Sequence, residues 1–240
     1  MKKAHLYSML FIAAISLTVL SSCRFGCIKG SGRQVTENRK VSDFTRLEIS
    51  GGFKVILKQD SSLSVTINAD DNFMKYIHSS NSGDKLKIYS KKNFCGSGEI
   101  VINIGVKNLE RIEASGAVDL STDGQLNTKD LALGLNGASK VTMDLNAANV
   151  TTEGAGNTEM NLKGQATSHK VQLAGAAKIE ALDFVVGNYD IETTGASDCR
   201  INVLKELNVN TTGAADIKYR GNPTSVNTSK TGAATVTKIN

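Results

Sequence analysis

The chain has 240 residues, with 28 Lys and Arg against 23 Asp and Glu, a formal charge of +5, one Pro, four Cys, three His and no Trp. So small a positive balance leaves no electrostatic footprint for nucleic acid. The His are few, and with Cys23 assigned below to lipidation the remaining Cys27, Cys95 and Cys199 include no close pair, so no metal-ligating spacing is recognisable and no metal or cofactor is expected.

The first 23 residues, MKKAHLYSMLFIAAISLTVLSSC, place Lys2 and Lys3 before an apolar stretch from Met9 to Leu20 and end in small residues. This is the pattern of a secretion signal, and the apolar stretch is too short for a membrane span. Leu20-Ser21-Ser22-Cys23 resembles the bacterial lipobox, in which the cysteine is acylated and the chain is cut just before it. The reading is a signal peptide over 1–22 and a lipidated tether over 23–33, with Cys23 as the lipidation site. Cleavage there leaves 218 residues and a charge of +3. By analogy with proteobacterial lipoproteins, Arg24 favours the outer membrane, and the sequence leaves open which face carries the protein. Cys27 and Cys95 lie in glycine-containing surroundings, where an oxidising envelope allows a disulfide that would tie the tether to the body.

Residues 34–110 read as an N-terminal β region. LEISGGFKVIL (47–57) has the grammar of a first rung, and LSVTI (63–67), KLKIY (85–89) and EIVINI (99–104) alternate as strands do. DDNFMKYIH (70–78) breaks the alternation and reads as one or two helical turns.

From 111 to 240 a glycine followed by Ala returns about every 19 residues, at Gly116, Gly137, Gly154, Gly175, Gly195, Gly213 and Gly232. Apolar residues stand four before and four after most of these glycines. A repeat this short has no room for a crossover helix, so each is expected to be one turn of a coil of short parallel strands. The expected fold is all-β, a right-handed parallel β-helix with a less regular N-terminal region. The glycine column then marks a bend at which successive backbones come close.

Chemistry is harder to find. His78 and His169 lie in no recognisable catalytic motif, and the two Gly-Ser-Gly segments at 30–32 and 96–98 lack the context of a phosphate loop. The position three after each glycine should face outward, which puts Asp198 and Asp216 on neighbouring rungs, roughly 4.8 Å apart. Such a pair would hold a cation or share a proton, although Lys178, Arg200 and Lys218 nearby make an ordinary mixed-charge face the simpler reading. Asp70-Asp71-Asn72 lacks the further ligands of a calcium loop. Cys199 falls at an inward position and reads as a small buried hydrophobe. Thr and Asn abound near the bends, where stacked columns satisfy one another or present a polar face to a glycan or a protein.

GSGRQVTENRKVSDFTRLEISGGFKVIL (30–57), ADDNFMKYI (69–77), KLKIYSKK (85–92), VKNLERIEASGAVDL (106–120) and the glycine repeats together resemble the family described as putative auto-transporter adhesin, head GIN domain. The resemblance covers essentially the whole mature chain. It implies a parallel strand coil on an exported, often lipid-anchored protein of Bacteroidetes envelopes, and it transfers neither a catalytic motif nor a binding residue. The chain carries no heptad stalk and no translocating barrel, so autotransport is not implied. The expectation is a non-catalytic envelope lipoprotein that meets the membrane through its lipid and presents a surface to glycans or to envelope or host proteins. Two alternatives stay open: a carbohydrate-active enzyme using the acidic pair, and a structural or regulatory partner in the periplasm.

Overall fold

The structure is a computed structural model that describes residues 26–96 and 98–240; the signal peptide and Cys23 lie outside the described residues. Among the described residues the chain is all-β, interrupted by one 3-10 turn at Met74–Tyr76, and no helix is long and apolar enough to cross a membrane.

In chain order the strands are β1 (Cys27–Lys29), β2 (Gln34–Lys40), β3 (Arg46–Gln59), β4 (Ser64–Asp70), β5 (Ile77–Ser82), β6 (Lys85–Ser90), β7 (Asn93–Cys95), β8 (Val101–Val106), β9 (Arg111–Arg220) and β10 (Ser225–Lys238). One sheet runs in the order β10-β9-β3-β8-β4-β2, with β6 on β3 and β5 on β6, while β1 and β7 form a separate parallel pair. The pairing of β3 with β9 joins the N-terminal region and the repeats in one sheet. In that pairing Gly51 stands opposite Gly116, as the rung-like grammar of residues 47–57 predicts.

β9 has 110 residues. Laid straight it would reach about 360 Å, yet it turns back on itself within each repeat. A Cβ on Gly116 would stand 2.6 Å from the Gly51 carbonyl oxygen, and one on Gly137 would stand 2.6 Å from that of Gly116. The contact then recurs from Gly137 to Gly156, Gly175, Gly195, Gly213 and Gly232, each with positive φ. β10 lies parallel to β9 at an offset of 19 residues, with Gly232 opposite Gly213.

The stack corrects one register. The glycine of the third repeat is Gly156, not Gly154, so the spacings become 21, 19, 19, 20, 18 and 19. Both glycines of EGAGNT point to the same side of an alternating strand, so sequence periodicity does not separate them. Only Gly156 has positive φ; Gly154 stands over the Leu135 carbonyl. The shift puts Met160 rather than Thr158 in the column four after the glycine. Leu120, Val141, Met160, Ile179, Cys199 and Ile217 then share one column and are all at most 1% exposed.

The first strands fill one end of this core. Leu47 and Ile49 of β3 align with Leu86 and Ile88 of β6, Val55 and Leu57 align with Ile102 and Ile104 of β8, and Ile67 of β4 aligns with Ile102, all buried. The alternation in these segments is the half-buried pattern that one-sided packing demands.

Candidate functional site

Residues 27–33, just ahead of the sheet, are fastened rather than free. Cys27 and Cys95 are joined by a disulfide with their Cα atoms 5.7 Å apart. The acidic cluster clamps the residues after Cys27. Asn72 donates to the Lys29 carbonyl (2.8 Å) and accepts from the Ser31 amide (3.1 Å), while Asp70 accepts from the Gly32 amide (2.9 Å). Asp71 takes hydrogen bonds from the Ser31 hydroxyl and from Arg33, and these hold its carboxyl below the usual carboxylate range. Asp70-Asp71-Asn72 is thus a latch for the tether. No group of three His, Cys, Asp or Glu among the described residues could hold a metal ion.

Asp198 and Asp216 line one shallow groove of about 580 Å³ on the stack, floored by Ala177, Ala196, Ala214 and Ala215. Asp216 is held by Lys218 at 2.6 Å and by the Thr235 hydroxyl at 2.7 Å, and these contacts keep it ionised below its ordinary range. One oxygen of Asp198 is buried with no hydrogen-bond partner among the described residues. The groove therefore combines an ion-paired carboxylate, one with an unpaired oxygen, and a methyl floor.

A second face is built from amides. Gln59 accepts from the Asn127 amide (2.8 Å), Asn146 donates to Asn127 (2.9 Å), and Gln165 donates to Asn146 (3.0 Å). Asn149 donates to Asp130 (2.6 Å), and Ser168 donates to Asn149 (2.8 Å). Partners 19 residues apart in sequence meet because the backbone stacks them. The first ladder borders an open hollow of about 800 Å³ whose lining includes Ala147, Ala166, Gly187 and Leu204. Leu204 is 50% exposed, a large apolar side chain left in water at the mouth of a polar surface.

His169, which carries no motif, belongs to the interior. Its Nε2 lies 3.0 Å from the Thr152 hydroxyl and its Nδ1 3.0 Å from the Tyr189 hydroxyl. Burial lowers its pKa to about 3 and raises that of Tyr189, so both are neutral near pH 7. His78 stays on the surface, stacked on Tyr89 at 5.2 Å. Cys199 is a free, buried thiol pushed up to about 12, chiefly by burial, which leaves it unreactive. His169 and Tyr189 stand six before Gly175 and Gly195, so the glycine register pairs them directly, whereas Thr152 lies two places from the residue that Gly156 aligns with His169.

The fold has solved counterparts. A protein of Bacteroides fragilis described as a putative adhesin superposes with a TM-score of 0.82 at 22% identity, covering 88% of this chain and 100% of its own. A Parabacteroides distasonis protein described as a putative lipid binding protein gives 0.71 at 18% identity, covering 89% and 99%. A putative adhesin of Parabacteroides merdae gives 0.64 at 19% identity, covering 90% and 100%. At these identities the likeness is one of fold. A search of curated proteins finds no match. The family model described as putative auto-transporter adhesin, head GIN domain, matches residues 43–223, and the chain belongs to that family.

Proposed function

We propose that this is a non-catalytic envelope lipoprotein whose repeats form a right-handed parallel β-helix that acts as an adhesion surface for a glycan or a protein. In this reading residues 1–22 are removed as a signal peptide, Cys23 is acylated, and the lipid holds the protein at the outer membrane. Family membership and the adhesin descriptions of the B. fragilis and P. merdae proteins support the adhesive role.

The observation that carries the reading is the amide ladder beside the Leu204 hollow. Its side chains are ordered by each other before any ligand arrives, so a partner pays little of the usual ordering cost. A repeating row of donors and acceptors suits an extended, repeating ligand. Binding is favoured over catalysis because Lys218 and Thr235 already engage Asp216, while a general acid or base needs a pKa near its working pH.

The test begins with protease shaving of intact cells, using a periplasmic protein as the control for a closed envelope. Digestion is expected, followed by binding to at least one glycan or matrix protein on an array. Leu204→Arg, which changes an exposed residue, is expected to weaken that binding at least about tenfold. Protection from protease, or array binding indifferent to Leu204→Arg, rejects adhesion through this face.

A further inference from the structure

We infer that the end of the molecule carrying Lys75, Tyr76, Lys91 and Lys92 is a docking surface for the anionic headgroups of a lipid bilayer. The inference rests on the lipid anchor proposed at Cys23 and specifies how the anchored body sits.

The geometry starts from the β1–β7 pair. The two strands run parallel, with Cys27 opposite Asn93, so the chain leading into Cys27 emerges beside Lys92. The disulfide to Cys95 fixes that exit point. Cys27 is the fourth residue after Cys23, and four residues span at most about 14 Å. An acyl chain on Cys23 would therefore hold this end of the body against the headgroups.

The same end is basic. β5 and β6 pair with Ile77 opposite Ser90, which brings Lys75 and Tyr76, just before β5, to the end where Lys91 and Lys92 follow β6. Lys75, Lys91 and Lys92 are exposed, and none forms an ion pair with the described residues. Lys75 lies 5.0 Å from the Tyr76 ring, an amphipathic side chain suited to a headgroup layer. Glu37, which lines the hollow beside Lys75, is already paired with Arg39 at 2.7 Å.

Charge is also polarised along the chain. Residues 26–110 carry 13 Lys and Arg against 9 Asp and Glu, whereas 111–240 carry 12 against 14. An anionic surface attracts the first part and repels the second, which points the stack away from the membrane. Each lysine near such a surface contributes attraction that fades within a Debye length.

Lysine footprinting of the acylated full chain tests this. The protein is reconstituted in vesicles rich in phosphatidylglycerol or in vesicles of phosphatidylcholine alone, pulsed with acetic anhydride, digested and read by mass spectrometry. Lys75, Lys91 and Lys92 are expected to react about threefold more slowly on the anionic vesicles, with the difference lost near 1 M salt. Lys140 and Lys230, exposed residues of the stack, serve as references and should not change. Equal labelling of the three lysines on both vesicles, or slowing shared by the references, overturns the docking. An N-terminal peptide without an acyl group overturns the anchor alone. Flotation of that unacylated chain with phosphatidylglycerol vesicles then decides the docking, since Lys75→Gln/Lys91→Gln/Lys92→Gln must weaken it about 100-fold and parity with wild type rejects it.

Discussion

Gly195→Val is expected to prevent folding. Gly195 has φ of 122°, a region that a β-branched residue adopts only under strain. A Cβ there would also lie well inside contact distance of the Gly175 carbonyl oxygen, and Gly213 makes the same approach to Gly195 from the next repeat. Relief would require two stacked backbones to separate, breaking the parallel hydrogen bonds that hold them. The strain and the lost pairing together exceed about 5 kcal/mol, comparable with the whole stability of a domain. Gly124→Ala is the matched control. Its φ is also positive, at 87°, but a Cβ there meets nothing within 4 Å, so only the backbone strain of about 1–2 kcal/mol remains. Soluble yield and denaturant midpoint separate the two. A Gly195→Val protein that unfolds within a few degrees of wild type would show that the glycine ladder is not a steric requirement.

The ladder is also why so much of the fold was readable. Glycine at a bend, with apolar residues four positions either side, is a demand of backbone contact and of the core, and both leave marks in the sequence. Strands with one buried face, β3, β4, β6 and β8, declared themselves through Leu, Ile and Val at every second position. β2 and β5 did not, because QVTENRK and IHSSNS are mostly exposed edge segments whose pairing depends on neighbours distant in sequence. The three-residue strands β1 and β7 are too short to show any period. Their pairing is marked only by Cys27 and Cys95.

Function was less legible for the same physical reason. The roles of Asp70-Asp71-Asn72 and His169 depend on contacts about 17 to 43 residues away, which local pattern does not encode. The amide ladders required the register of every repeat.

His169 should make stability fall steeply on mild acidification. Unfolded histidine binds a proton near pH 6.5, whereas in the folded protein burial lowers the pKa to about 3. Between those values the unfolded chain holds one proton more than the native one, so stability rises with pH and is fully present only above about pH 6.5. The slope approaches about 1.4 kcal/mol per pH unit below pH 6.5, so about 2 kcal/mol is lost between pH 6.5 and 4.5, on the order of 6 °C in Tm. Carboxylates with lowered pKa, among them Asp216, Asp71 and Glu48, lose most of their contribution below pH 4.5, so the histidine dominates this window. The groups around the ring do not offset the charge. Thr152 and Tyr189 are neutral, and Phe184 presents its ring edge-on at 5.8 Å. His169→Gln is expected to be less stable at neutral pH, because the Thr152 and Tyr189 hydroxyls lose a well-placed partner, yet flatter between pH 6.5 and 4.5. A wild-type protein equally stable at both pH values would mean that the ring takes up its proton without leaving the core, which requires a counter-charge that the surrounding Thr, Tyr and Phe do not supply.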